Sequence, residues 1–288
     1  MNELRHDLLR RVRDNLCDGA SHLARIALDC LSDYTEEVEA ADVAALRGEL
    51  LGFADELVEA RPSMAAIRHL VGRWRDSVAD FDGDMEALRA HARDRARLVR
   101  EWANEATEAT VRDAIERVGT YERLMTYSMS STVTRVLMQL PSSVLEVVVP
   151  ESRPRLEGAR LATTLAEARI DVAYITEAQI GVFAEQVEAV IVGADSVLAD
   201  GAFVNKVGTR LAALAAREAG VPFYVCAESF KCTDVSTSDA VLEEKAGSEL
   251  NPPHLPSLRA RNVYFEVTPA ELITEWLSDV DLNARFRP

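Results

Sequence analysis

The hydrophobic period of this chain changes once, just after Tyr121, and the change restricts what the chain can fold into. Before it, Leu8, Leu9, Val12 and Leu16, then Leu23, Ile26, Ala27, Cys30 and Leu31, recur at three- and four-residue intervals. That spacing puts them on one face of a helix. It continues through 43–58 and 64–74, with Pro62 placed to open a helix after Arg61. Residues 81–112 are charged and alanine-rich, with Leu88, Leu98, Val99 and Trp102 on the apolar side. A long surface helix is expected there, with a partner-binding helix as the alternative. Beyond Tyr121, short apolar runs at 123–126, 145–149, 172–175, 189–192 and 222–227 read as strands. Helical stretches at 130–139, 155–168, 179–187 and 206–219 separate them, and 262–266 and 269–277 read as a last strand and a closing helix. Strand–helix alternation implies a parallel sheet covered by helices on both faces. Right-handed crossovers then gather the strand ends along one edge. The expected architecture is α/β: an N-terminal helical domain over 1–112, then a parallel-sheet domain over 113–288.

Composition limits the function classes. A net charge of −16 repels a phosphate backbone over most of the surface and argues against direct nucleic-acid binding. No apolar run reaches the eighteen or so residues a membrane helix needs, and the start lacks the basic-then-apolar layout of a secretory signal. Cys17, Cys30, Cys226 and Cys232 are scattered, so neither a metal-ligand pair nor a disulfide framework is read, and no cofactor is implied. A reducing cytoplasmic setting is expected. The lysines are Lys206, Lys231 and Lys245 alone, leaving arginine to supply the remaining positive charge. A lysine-poor, acid-rich surface suits a salt-rich cytoplasm; a GC-rich genome coding an ordinary acidic protein is the alternative.

The segment with the most specific chemistry is Val192-Gly193-Ala194-Asp195-Ser196-Val197, continuing through Asp200-Gly201 to Asn205-Lys206-Val207-Gly208-Thr209. Read locally, a strand delivers Asp195 at its carboxyl end, a turn follows, and Asn205-Lys206 opens a helix. A carboxylate, an amide, an ammonium and helix N–H groups would then share one small volume, suited to a phosphate or sugar hydroxyls. Either piece alone would be an Asp-Gly turn or an Asn cap.

Together with Asp18-Gly19-Ala20-Ser21, Ala60-Arg61-Pro62-Ser63-Met64, Glu151-Ser152-Arg153-Pro154-Arg155-Leu156-Glu157-Gly158, the run from Pro222 to Lys231, and Phe265-Glu266-Val267-Thr268-Pro269, this segment resembles one superfamily. It comprises the α, β and δ regulatory subunits of translation initiation factor 2B, methylthioribose-1-phosphate isomerase and ribose-1,5-bisphosphate isomerase. The pieces occur in the family's order and span nearly the whole chain. The resemblance implies a Rossmann-like C-terminal domain, used in relatives for dimerisation, below an N-terminal helical domain. It also implies roles for residues: Asp195 matches the isomerases' catalytic aspartate, Arg61, Asn205 and Lys206 match binding positions, Lys231 matches a lysine of the bisphosphate isomerase, and Arg153 lies in the Arg-Pro binding segment.

Three positions depart from the isomerase pattern. Ser128 stands where the catalytic cysteine belongs, with Tyr127 in place of the neighbouring histidine. A thiol ionises near neutrality with modest help, whereas a serine hydroxyl needs an adjacent base. Asp18 replaces an arginine, removing a bidentate phosphate clamp, and Glu157 replaces a glutamine. At about 5 Å and an effective dielectric of roughly 20, each like-charge contact with a phosphate costs on the order of 3 kcal/mol. Local alternatives exist: Asp18 as a helix cap, Glu157 paired with Arg153 or Arg155, Ser128 bonded to nearby backbone. Two functions follow. One is a non-catalytic initiation factor 2B-like subunit, forming a homodimer or binding related subunits or a translation factor, with a small phosphorylated ligand in a degenerate site. The other is an aldose–ketose isomerase acting on a ribose 1-phosphate or ribose 1,5-bisphosphate type of substrate.

Overall fold

In the computed structural model, which describes residues 3–15, 19–141, 145–242 and 244–286, the first 79 residues are helical wherever they are regular. The elements are α1 (Glu3–Arg13), α2 (Ala20–Glu37), α3 (Val43–Glu59) and α4 (Ala65–Ala79). Asp42 caps α3 by accepting from the Ala45 N–H at 2.8 Å, and α3 ends at Ala60 just ahead of Pro62. Helix α4 starts at Ala65, three residues later than Pro62 suggested, because a turn first closes from Met64 N–H to Arg61 O. Helices α2, α3 and α4 pack together, burying Leu23, Leu31, Tyr34, Phe53, Leu57, Ile67, Leu70 and Trp74. The long helix α5 (Met85–Val118) follows. Contacts divide the chain into units 1–106 and 107–288, and the division falls inside α5.

The second unit contains β1 (Arg123–Met125), α6 (Ser131–Gln139), β2 (Glu146–Pro150), α7 (Glu157–Glu167), β3 (Asp171–Ile175), α8 (Ile180–Ala184), β4 (Ala189–Gly193), β5 (Ser196–Val197), β6 (Phe203–Lys206), α9 (Thr209–Ala219), β7 (Phe223–Cys226), β8 (Glu244–Lys245), β9 (Asn262–Val263), β10 (Phe265–Thr268), β11 (Glu275–Leu277) and α10 (Leu282–Phe286). Six strands form one sheet in the order β11-β7-β4-β1-β2-β3, every adjacent pair parallel. The first strand lies centrally and the chain winds outward from it in both directions, the doubly wound, Rossmann-like arrangement.

Both faces of this sheet are buried, as a parallel sheet requires. Along β4, Val190 and Val192 enter a core with Ile180, Ala212, Ala216, Phe223 and Trp276. Ala189 and Ile191 enter the opposite core with Val133, Leu137, Leu161 and Leu165, to which the last turns of α5 add Val111, Ala114 and Val118. The alternation follows from the two-residue period of a strand.

Three expectations change. Lys206 does not open a helix: residues 203–206 form β6, antiparallel to β5 and β10, and α9 begins at Thr209. The run 262–266 is not one strand, since β9 pairs with β8 and β10 pairs with β6, the break falling at Tyr264. The closing helix over 269–277 is a 3₁₀ turn, Ala270–Leu272, followed by the edge strand β11. Leu272, Ile273, Trp276 and Leu277 mimic a helical period because the turn supplies the first pair and a strand alternating between faces supplies the second. Among the described residues, no helix is long and apolar enough to cross a membrane.

Gly158 sits in the first turn of α7, where a Cβ would overlap the carbonyl oxygen of Pro150 at the end of β2. The helix can approach the strand this closely only with glycine there. Gly158→Ala is expected to destabilise the chain by about 3 kcal/mol, seen as a lower urea midpoint at unchanged slope.

Candidate functional site

At the carboxyl edge of a doubly wound sheet, the crevice where winding reverses collects the loops that follow the central strands. Here those loops follow β1 and β4. The first carries Thr126-Tyr127-Ser128; the second carries Ala194-Asp195. Ser128 adopts a left-handed backbone, φ 61°, and its N–H donates to Ser152 Oγ at 3.0 Å. A non-glycine residue held there is strained. Asp195 lies past Gly193, its N–H donating to Val204 O at 2.9 Å, which locks it to the β5–β6 hairpin. The same hairpin ends in Asn205 and Lys206.

Lys206 is 4% exposed and Glu157 is 8% exposed, and Lys206 Nζ donates to Glu157 Oε1 at 2.6 Å. The Tyr264 hydroxyl donates to the same oxygen at 3.0 Å, and the ammonium lies 3.2 Å from the centre of the Tyr264 ring. Burial depresses the Lys206 pKa below its ordinary value, and the charges of Glu157 and Asp195 counter that fall. Burial and the nearby Glu157 push the Tyr264 hydroxyl up, so it is a donor at neutral pH. Glu157 therefore pairs with Lys206, and neither Arg153 nor Arg155 is its partner. Arg155 Nη1 donates to Glu249 at 3.2 Å; Arg153 donates through Nη2 to Leu250 O at 3.2 Å and through its backbone N–H to Glu177 at 2.8 Å. The repulsion reckoned for a lone Glu157 charge does not apply to a paired one. Glu157 instead competes with any anion for the lysine.

The helix N–H groups expected beside Lys206 are engaged as well. Glu266 Oε1 accepts from Gly208 N–H at 2.6 Å and Arg210 N–H at 3.0 Å, giving the start of α9 the negative charge its dipole favours. Asn205 Nδ2 donates to Thr209 Oγ1 at 3.0 Å. Gly208 has φ 103°, and a Cβ there would overlap the Tyr127 hydroxyl, which donates to Val207 O at 2.8 Å. Where a histidine was looked for, Tyr127 thus braces the turn. Burial and the carboxylates of Glu177, Glu266 and Glu157 hold its hydroxyl protonated.

Lys231, 3% exposed, pairs with the fully buried Glu228 at 2.7 Å, beyond the end of β7. Thr132 and Thr107 donate to Glu228 at 2.8 and 3.1 Å. Arg61, in the first unit, is buried and donates to Asn15 O at 2.8 Å. Asp18 lies outside the described residues. Burial pushes the thiols of Cys226 and Cys232 up. Sequence reasoning missed Tyr264 and Glu266 as members of the site. A signal existed for Glu266: α9 starts after glycine, with no side-chain cap of its own, so a cap had to come from another strand.

Three comparisons bear on this geometry. Residues 16–283 match the description of the Initiation factor 2 subunit family. The ribose 1,5-bisphosphate isomerase of Archaeoglobus fulgidus is 30% identical, over 94% of this chain and 86% of its own. A Pyrococcus furiosus protein named as eIF-2B subunit 2-like is also 30% identical, over 96% and 94%. The crystal structure of a Pyrococcus horikoshii translation initiation factor eIF-2B superposes with a TM-score of 0.84 at 29% identity, over 97% of this chain and 96% of that one.

The Glu228–Lys231 pair generates a pH prediction. Burial alone would raise the Glu228 carboxyl, but Lys231 and the Thr132 hydrogen bond override it and hold it at about 2, against an ordinary 4.5. The unfolded chain takes up this proton first as pH falls. The stabilisation is therefore complete above pH 4.5 and lost progressively toward pH 2, which urea midpoints across that range will register. Lys231→Met, which removes the cation beside the buried Glu228, is expected to cost about 3–5 kcal/mol at neutral pH.

Proposed function

Because the chain belongs to the Initiation factor 2 subunit family, we propose that it is a non-catalytic member acting through protein contacts, with a second copy of itself or with related subunits. The observation that carries this reading is the buried Lys206–Glu157 ion pair. The lysine that would hold a substrate phosphate is neutralised by the chain's own carboxylate. A phosphorylated ligand at Lys206 must either displace Glu157, leaving that charge buried and unpaired at a cost of about 3–5 kcal/mol, or share the ammonium beside a like charge.

Ser128 supports the same reading. Its hydroxyl stands at the end of β1 with no histidine beside it, and Tyr127 is held protonated by burial and by surrounding carboxylates. Aldose–ketose isomerisation needs one group to remove a proton and another to return it. Asp195 is a candidate for one of these roles, and the serine at position 128 has no thiol with which to fill the other. For protein contacts, Val182 of α8 is 61% exposed, and Leu211 and Leu214 of α9 are exposed on a helix packed against α8. Apolar surface of this kind favours association.

The isomerase reading remains the alternative, favoured by the Archaeoglobus relative's name and by Asp195 standing close enough to Lys206 to influence it.

Incubation with ribose 1,5-bisphosphate or methylthioribose 1-phosphate is expected to yield no ketose product, and Ser128→Cys alone is expected to restore none. Turnover that is lost in Asp195→Asn and kept in Ser128→Ala would establish the isomerase instead. Glu157→Gln is expected to gain a thermal shift with ribose 5-phosphate that the unsubstituted chain lacks, as Lys206 becomes available to an anion. Leu211→Glu is expected to halve the mass seen by light scattering if α8 and α9 form the self-association face; an unchanged mass would place the contact elsewhere.

A further inference from the structure

We propose that the second unit carries a binding site for a free amino acid with a large apolar side chain, at the amino edge of its sheet and away from Asp195 and Lys206. The site is a cavity of about 440 Å³ beside the edge strand β11. Strand β11 pairs only with β7, and Thr274 just ahead of it donates its N–H to Phe223 O at the start of β7. The cavity therefore opens at the end of the sheet opposite the crevice, and it does not depend on whether the crevice is catalytic.

Four polar side chains line the cavity: Arg117, Thr274, Glu275 and Asn283. Arg117 Nη2 donates to Glu275 Oε1 at 2.6 Å, the two side chains being 49% and 28% exposed. An ion pair this exposed stabilises little, so its members can exchange partners at small cost. That separates it from the buried pair at Lys206. Thr274 Oγ1 accepts from the Phe223 N–H at 2.9 Å, which leaves the hydroxyl proton to be donated. A ligand carboxylate thus finds donors in the Arg117 guanidinium and the Thr274 hydroxyl, and a ligand ammonium finds an acceptor in Glu275. A free amino acid bears both groups on one carbon and answers both members of the pair, so opening the pair strands neither charge. A simple anion would leave Glu275 without its cation in a chain of net charge −16, and a simple cation would leave Arg117 without its carboxylate.

The remaining side chains of the lining are apolar, among them Ile273, Trp276 and Phe286. The Trp276 and Phe286 rings lie 6.1 Å apart, tilted at 47°, and Trp276 meets Phe203 edge-on at 5.8 Å. Asn283 fixes the backbone of the same tryptophan: its Oδ1 accepts from Trp276 N–H and its Nδ2 donates to Trp276 O, both at 2.9 Å. Those are two of the groups an added strand would have to pair with. The amide therefore closes this edge to a peptide that would extend the sheet, while the cavity beside it stays open to a small molecule. Its volume lies toward the lower end of the ~300–1,000 Å³ usual for small-molecule sites, which suits a ligand of amino-acid size. An aromatic or large aliphatic side chain would lie against the two rings, with the charged end at the Arg117–Glu275 pair.

Isothermal titration calorimetry on the whole chain tests this with L-phenylalanine, set against glycine, N-acetyl-L-phenylalanine and L-phenylalanine amide. Glycine lacks the side chain, and each blocked analogue lacks one charge. Saturable binding of L-phenylalanine is expected, with all three analogues about tenfold weaker or more. Arg117→Gln and Glu275→Gln, both at exposed positions, are each expected to weaken L-phenylalanine about tenfold, with circular dichroism verifying that the variants are folded. If neither variant folds, the analogue panel on the unsubstituted chain decides. Excess ribose 5-phosphate is expected to leave the titration unchanged. The assignment is overturned by absence of saturable binding, by equal binding of a blocked analogue, or by binding that survives both substitutions. Displacement by ribose 5-phosphate also overturns it, because the ligand would then occupy the crevice.

Discussion

Parallel pairing of β1 with β4 is the constraint on which the second unit depends. Two strands distant in sequence lie side by side at the centre of the sheet, Leu124 opposite Ala189 and Met125 opposite Val190. Parallel strands cannot be joined by a tight turn, so the intervening chain must leave the sheet and return. It does so by building β2 and β3 on one side before coming back as β4. The loops after β1 and β4 then open on the same edge, which is why Ser128 and Asp195 share it although they stand 67 positions apart in the numbering. Replacing a central strand would remove the crevice, whereas changing its side chains leaves the crevice and alters its chemistry.

Within that frame, the character of the site is decided by which carboxylate meets which cation. Two of the chain's lysines are buried and each has an acidic partner, Glu157 for Lys206 and Glu228 for Lys231. In a low-dielectric interior an unpaired ammonium is costly, so each buried lysine is satisfied internally by a nearby carboxylate. Glu266 does the same for the N-terminus of α9. The scaffold keeps its cations and its helix dipole, and both are met from within the chain. Glu157 meets Lys206 and Tyr264 through the same oxygen, Oε1.

Much of this was legible in the residues. The change of period near Tyr121 separated helices from strand–helix alternation, and each of the five strands expected before residue 230 lies within a residue or so of its expected position. The errors gather after residue 203, where short strands and 3₁₀ turns carry too few residues to express a period. The Asn205-Lys206 pair was read as the opening of a helix because both residues favour such a place. Pairing with β10, some sixty residues further on, holds them in a strand instead, and no local window contains that information. Asp195, Lys206 and Glu157 are each singled out by motifs, but the sequence suggests for Glu157 a repelling charge or a pairing with Arg153 or Arg155, and its partner is Lys206.

The sequence by itself determined the fold class, the edge of the sheet on which ligands would gather, and the loss of a thiol at Ser128, because these follow from period, chain order and residue chemistry. Only the tertiary structure decided that Glu157 neutralises Lys206 and that Glu266 caps α9. Those outcomes depend on distances of under 3 Å between residues about fifty or more positions apart, and such distances are fixed by packing and strand pairing rather than by any run of neighbouring residues.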